Sequence, residues 1–312
     1  MSAADAHVPV APSGRQYTLR SDGQEATVVE VGGGLRRYRV DGRDVLDGYG
    51  EDEICSGGRG QVLVPWPNRV CDGRYGFGGR EHQLALTEAE QRNAIHGLAR
   101  FANWEAVQRE ADRLLMRLRL HPQSGYPFAL DLELGYRLDG DGLSVTIAAT
   151  NIGTDRCPYG AGMHPYLTVG TAMVDDAVLT SPAGRLLETD ARQIPTGSVS
   201  VAGTEYDFRA GRPIGDTILD SAYTDLAPDA DKRVRVRLRD PASGHEVELW
   251  MDESFGYLML FTGDTLSRPA RRRGLAVEPM TCPPNALQSG KALVVLEPGE
   301  RRASAWGLAA SR

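Results

Sequence analysis

Lysine is almost missing from this chain of 312 residues: Lys232 and Lys291 are its two representatives, and the remaining cations are arginines. Together with abundant glycine and alanine, that bias reads as GC-rich coding rather than as a surface built to grip a polyanion. The formal net charge of −7 points the same way, because nucleic-acid-binding surfaces carry excess positive charge. Cysteine is scarce as well. Cys55, Cys71, Cys157 and Cys282 lie far apart with no CxxC pair, as expected of reduced thiols in a cytoplasmic protein. No apolar run reaches the roughly 18 residues that span a bilayer. Met1 to Gly14 has no basic segment followed by an apolar one, so no secretion signal is expected. Residues 1–15 read as a poorly ordered tail ahead of a single domain over 16–312.

Familiar chemical signatures are missing too. There is no GxSxG, no HExxH, no phosphate-binding loop around either lysine, and no GxGxxG after a strand. Strand–helix–strand alternation is absent, which excludes a dinucleotide fold. Of the histidines His7, His82, His96, His121, His164 and His245, none stands at metal-ligand spacing from a cysteine or another histidine, so no metal is expected.

What the chain does have is alternation with a period of two. Leu130, Leu132, Leu134, Tyr136 and Leu138 are separated by Asp131, Glu133, Gly135 and Arg137, the pattern of a strand with one buried face. Asp139-Gly140-Asp141-Gly142 follows, and then Leu143, Val145, Ile147 and Ala149 alternate again, which predicts a hairpin. Val234–Leu238 and Val247–Met251 repeat the arrangement around Pro241–Gly244. Ala26–Val31, Leu35–Val40, Leu114–Leu120 and Tyr257–Thr262 are further strands. No long 3.6-residue period competes. The expectation is an all-β sandwich or barrel of antiparallel strands.

Four segments break this pattern. Pro65-Trp66-Pro67-Asn68-Arg69 sets an aromatic, an amide and a guanidinium on a backbone stiffened by proline, which suits a sugar's apolar face and hydroxyls. It equally suits a loop pinned by a buried tryptophan. His96-Gly97 sits at a turn and is also compatible with an ordinary loop histidine. In Gly160-Ala161-Gly162-Met163-His164-Pro165-Tyr166, glycines permit close backbone approach and Pro165 holds His164 extended. That imidazole is either a proton donor or a histidine satisfied in the core. Glu278 ends the apolar run Leu275-Ala276-Val277 before a proline-rich stretch, a costly position unless it is functional or paired with an arginine.

In this order, Pro67-Asn68-Arg69, Gly73-Arg74-Tyr75, His96-Gly97, Gly125-Tyr126-Pro127, Gly162-Met163-His164-Pro165-Tyr166 and Glu278-Pro279-Met280 resemble the aldose 1-epimerase family across about Tyr17 to Ala305. The resemblance implies an antiparallel β-supersandwich of the galactose-mutarotase type with few short helices, and a cofactor-free reaction on a monosaccharide. It implies Glu278 as base and His164 as acid, with Arg69, His96 and Asp220 binding the sugar; Asn68 is expected to bind it too, and Trp66 and Tyr166 to form an apolar wall. Many relatives carry a glutamine in the strand ending Thr-Gly, whereas this chain reads Tyr257-Leu258-Met259-Leu260-Phe261-Thr262-Gly263. A hemiacetal opens when a base takes the C1 hydroxyl proton and an acid protonates the ring oxygen, and the two groups are expected on opposite sides of that bond with a pyranose-sized cavity between them. Three alternatives remain: a 1-epimerase for a phosphorylated hexose, clamped by Arg268, Arg271, Arg272 and Arg273; a non-catalytic sugar-binding protein; and a glycosidase using Glu278 and Asp220.

Overall fold

Strand Leu130–Asp139 buries Leu130, Leu132, Leu134, Tyr136 and Leu138 and turns the intervening residues outward, as the alternation requires. It pairs antiparallel with Gly142–Asn151, Leu138 opposite Leu143, through a tight turn in which the Asp139 carboxylate accepts the Asp141 N–H at 3.0 Å. Val234–Arg239 and Glu246–Met251 form a second such hairpin, with Arg235 and Arg237 both reaching Glu248 across the strands.

In the computed structural model, which describes residues 10–311, such hairpins assemble into one nine-stranded, one eight-stranded and one four-stranded sheet. The nine-stranded sheet runs Glu105–Arg109, Arg113–Leu120, Leu130–Asp139, Gly142–Asn151, Arg301–Ala310, Glu246–Met251, Val234–Arg239, Val178–Thr180, Arg212–Pro213. The eight-stranded sheet runs Pro195–Ser200, Ala183–Thr189, Asp220–Leu226, Tyr257–Phe261, Leu275–Met280, Gly162–Met163, Val62–Leu63, with Tyr166–Leu167 also paired to Leu275–Met280. The pairings within both are antiparallel. Among the described residues, helix is confined to one turn at Ala286–Ser289 and a 3-10 turn at Val174–Asp176. No helix there is long and apolar enough to cross a membrane.

Of the segment expected to be a tail, residues 1–9 lie outside the described residues. Val10 is exposed, but Ser13 and Arg15 are tied to the body: Val31 N–H donates to the Ser13 carbonyl at 3.0 Å and Glu30 N–H to the Arg15 carbonyl at 2.9 Å.

The eight-stranded sheet has two different faces. Leu258, Leu260, Leu275, Val277 and Tyr223 join the main core together with Leu132, Leu134 and Val236 of the nine-stranded sheet. Their immediate neighbours along the same strands point the other way. There Leu187, Ala222, Tyr257, Met259 and Met280 form a separate small apolar cluster, and Asp220 and Glu278 share that face.

Leu134 is fully buried in the main core. Leu134→Ala is expected to cost about 2–5 kcal/mol in chemical denaturation. A loss below about 1 kcal/mol would place it outside the packed interior.

Candidate active site

Strand register explains how a carboxylate and an imidazole meet on this face. Gly162 pairs with Met280 and Tyr166 with Ala276. Counting inward from both ends sets His164 directly opposite Glu278. Pro165 and Pro279 lie between those pairs and have no N–H to donate, but Val277 N–H still donates to the Pro165 carbonyl at 3.0 Å, so His164 and Glu278 occupy a non-hydrogen-bonded position of the antiparallel pair. The backbone of His164 bonds on its other side instead: its N–H donates to the Gln61 carbonyl at 3.1 Å, and its carbonyl accepts the Gly60 N–H at 2.8 Å. As cross-strand neighbours on one face, the two side chains touch, with His164 Nε2 at 3.3 Å from Glu278 Oε1. They are therefore adjacent rather than separated by a cavity, contrary to the sequence-based expectation. The partner of Glu278 is this histidine, not an arginine.

Segment 55–59, which lies outside every segment that breaks the strand pattern in the sequence, cradles the imidazole together with Gly60 and Gln61. Gly58 has φ +75°, and a Cβ there would stand 2.7 Å from His164 Cδ2, so the backbone lies against the ring edge. Tyr166 stacks on His164 at 5.1 Å between centroids and donates its hydroxyl to the Gly57 carbonyl at 2.8 Å. The Arg59 guanidinium covers the Tyr166 ring at 4.5 Å and is held by Asp47 at 3.2 Å. The signal that could have found this segment is its run of glycines at 57, 58 and 60.

His96 completes the cluster. Its ring meets that of His164 edge-on at 5.5 Å. Its backbone N–H donates to the Asn68 carbonyl at 2.9 Å, and its Nδ1 accepts the Asn68 N–H at 3.1 Å. Neutral His96 must then carry its proton on Nε2. Gly97 is needed beside it, because a Cβ there would fall 2.0 Å from the Val64 carbonyl oxygen. Asn68 is buried, and its Oδ1 accepts the Arg69 N–H at 2.9 Å. Arg69 is clamped by Glu88 through two bonds of 2.9 and 2.8 Å, a partner with no sequence motif to announce it. Asp220 accepts from the Gln193 amide at 2.6 Å.

Burial governs the protonation of these groups. It pushes Glu278 up to about 8, with nearby Asp220 adding to the rise and Arg69 opposing it. Burial likewise pushes His164 down to about 3, and Arg100 and Arg59 add to the fall. It holds His96 well below the ordinary histidine range, with the neighbouring His164, Arg100 and Arg69 contributing. At neutral pH the pair therefore holds one proton, on Glu278 in the absence of a ligand. Glu278 Oε2 and His164 Nδ1 are buried with no hydrogen-bond partner, as expected where a polar ligand completes the site.

The donor atoms of His96, His164 and Glu278 lie within 4.8 Å of one another, close enough to surround a divalent ion. Histidines that ligate metals donate their second ring N–H to an acceptor. Here the second nitrogen of His96 faces a donor, the Asn68 N–H, so its Nε2 carries a proton where a metal needs a lone pair. The set does not fit a metal on those terms.

The remaining expectations divide. Trp66 is 2 % exposed and belongs to the main core, with its ring 6.3 Å from that of Tyr126; it does not form a sugar wall, because its large apolar surface is spent on packing. Tyr166 is likewise enclosed, between His164 and Arg59. In the arginine cluster, Arg272 is buried on Asp175 and Asp264, Arg271 stands 3.8 Å from Asp264, Arg273 is paired with Asp47, and Arg268 is exposed. A cavity of about 740 Å³ between Arg36, Arg43, Tyr49, His245 and Arg273 is lined by none of His96, His164 and Glu278.

A large antiparallel β-sandwich carrying a buried carboxylate–imidazole pair is thus the class of protein that fold and site define. Residues 15–308 match the family model described as aldose 1-epimerase, and the chain belongs to that family. It is 35 % identical over 289 residues to YihR, an uncharacterized protein of Escherichia coli (strain K12), covering 92 % of this chain and 91 % of that one. It is 26 % identical over 325 residues to the galactose mutarotase of Mus musculus, covering 93 % of each. A GalM/aldose epimerase homologue from C. elegans superposes with a TM-score of 0.84 at 19 % identity, over 96 % of this chain and 99 % of that one. The fold is the β-supersandwich of the galactose-mutarotase type.

The raised Glu278 sets a direction for stability. The folded protein keeps a proton there that the unfolded chain releases above its ordinary value of 4.5. The contribution of Glu278 to stability is therefore lost as pH rises from about 4.5 to about 8. Glu278→Gln removes that loss. Its melting temperature is expected to exceed that of the wild type by roughly 5 °C or more at pH 8, with the gap shrinking toward pH 5. Equal gaps at both pH values would refute a protonated, buried Glu278.

Proposed function

We propose that this protein interconverts the α and β anomers of an unmodified hexose, with Glu278 and His164 as the proton-transfer pair. The observation that carries this reading is their 3.3 Å contact. Both oxygens involved in ring opening, the C1 hydroxyl and the ring oxygen, are bonded to a single carbon. A base and an acid that touch each other can serve both from one edge of the sugar, which a pair set on opposite sides could not do without enclosing the ring. Glu278 takes the hydroxyl proton while His164 delivers one to the ring oxygen. Rotation about C1–C2 then presents the other carbonyl face, and reclosure exchanges the two roles. The pair begins and ends with one proton, so it serves both directions alike. Because burial favours the proton on Glu278, transfer across the short contact to His164 readies the pair, with Arg69 favouring the carboxylate form.

Arg69 and His96 Nε2–H are placed to hold hydroxyls and to stabilise charge developing on oxygen, and Asp220 accepts hydroxyl protons. Asn68 acts as a positioning residue for both Arg69 and His96. Tyr166 positions His164. Every step is a proton transfer, so the reading calls for no cofactor. The pairing of Arg271, Arg272 and Arg273 with carboxylates supports a free hexose over a 6-phosphate. The four unpaired cysteines suit a cytoplasmic setting.

A positioned proton transfer is worth about 10²- to 10⁴-fold. NMR exchange between anomers, corrected for spontaneous mutarotation, is expected to fall by at least 10²-fold in Glu278→Gln and in His164→Asn, with both variants folded. Retention of more than about a tenth of the wild-type rate would remove that residue from the pair. Parallel runs with glucose, galactose and their 6-phosphates decide between free and phosphorylated substrates.

A further inference from the structure

The loop between strands Ala183–Thr189 and Pro195–Ser200 delivers a side chain to the site that no strand of the sheet provides. The turn Asp190–Ile194 is closed by its own backbone and by the Asp190 carboxylate, which accepts the N–H groups of Arg192 at 2.9 Å and Ile194 at 3.0 Å. Arg192 locks the turn to the segment that carries His96: its guanidinium donates to the carbonyls of Gln91 at 2.8 Å and Arg92 at 2.9 Å, and bonds Asp72 at 3.2 Å. None of this involves the side chain of Gln193. Gln193 has φ +59°, a left-handed conformation that costs energy for a residue with a Cβ. Its amide reaches Asp220 instead, donating from Nε2 to Oδ2 at 2.6 Å. Its Oε1 is buried and accepts nothing. Asp220 Oδ1 likewise accepts no hydrogen bond from the described residues. On the same face, Ala222, Met259 and Leu187 are apolar.

We propose that Gln193 and Asp220 together read two adjacent sugar hydroxyls, one donating to Gln193 Oε1 and the other to Asp220 Oδ1, and that this pair sets which hexose the protein prefers. The inference rests on the epimerase reading and deepens it. The Nε2–Oδ2 bond fixes the spacing of the two free acceptors. A vicinal diol offers one donor to each acceptor, whereas a sugar deoxygenated at either position leaves one of them unsatisfied. Recognition thus comes from a loop, at a place where the neighbouring strand positions carry Met259 and Ala222 with no polar atoms to offer.

The test compares wild type with Gln193→Ala on glucose, galactose and their 2-, 3-, 4- and 6-deoxy analogues, following anomer exchange by NMR and binding by calorimetry. For the preferred sugar, Gln193→Ala is expected to raise KM and Kd roughly five- to tenfold while kcat changes less than about twofold. For the analogue lacking the hydroxyl read by Gln193, the two proteins are expected to agree within about twofold, because that contact is already gone. A purely structural role for Gln193 predicts the same ratio for every analogue, and that result, or no difference for the preferred sugar, overturns the proposal. Should Gln193→Ala fold poorly, Gln193→Met keeps the volume without the polar atoms and carries the same comparison. A wild type that binds sugars with the analogue-specific pattern but accelerates no exchange would uphold the recognition pair and remove the epimerase activity. Wild type that binds no sugar removes both.

Discussion

A carboxylate and an imidazole in contact, both shielded from water, impose the constraint around which this molecule is arranged. Neither group tolerates a lone charge in that setting, and each is moved toward its neutral form. Sharing a single proton resolves the conflict without a further counter-ion. The contact survives only if both side chains are held, because either could otherwise relax toward solvent or a backbone group. The strand pairing on either side fixes the separation of their backbones. The backbone of Gly58 and the ring of Tyr166 restrict the imidazole from edge and face. The energetic burden of a desolvated pair is thereby converted into readiness for proton transfer, the usual reason perturbed groups gather where chemistry occurs.

The eight-stranded sheet separates stability from chemistry by the simplest property of a strand, that successive side chains face opposite ways. Val277 packs into the main core while Glu278 beside it faces the site, and Leu258 and Leu260 flank Met259 in the same manner. Arginine–carboxylate pairs then brace the loops: Arg69 with Glu88, Arg59 with Asp47, Arg192 with Asp72. In each, a planar guanidinium fixes the orientation of the segment that carries it.

Much of this could be read from the chain, and for identifiable reasons. Alternation between Leu130 and Met251 reports which face of a strand is buried, so the hairpins and the all-β class were legible. The motif around His164 and the carboxylate at Glu278 stood out because each violates that alternation. What escaped was relational. Glu88, Asp47 and Arg59 are ordinary residues until the fold brings them to Arg69 and Tyr166. Gln193 sits in a turn whose sequence gives no hint of its reach to Asp220. Trp66 was misplaced because its flanking prolines suggest a surface loop, whereas the backbone they stiffen runs through the core. The adjacency of His164 and Glu278 depended on strand register, which two short segments far apart in the chain do not disclose.

The small apolar cluster of Leu187, Ala222, Tyr257, Met259 and Met280 is walled off from the main interior by the sheet itself. Replacements within it alter the lining next to Glu278 without opening voids among the residues that hold the two large sheets together. Exchanging those few side chains therefore reshapes the surroundings of Glu278 while the seam between the two large sheets keeps its own residues.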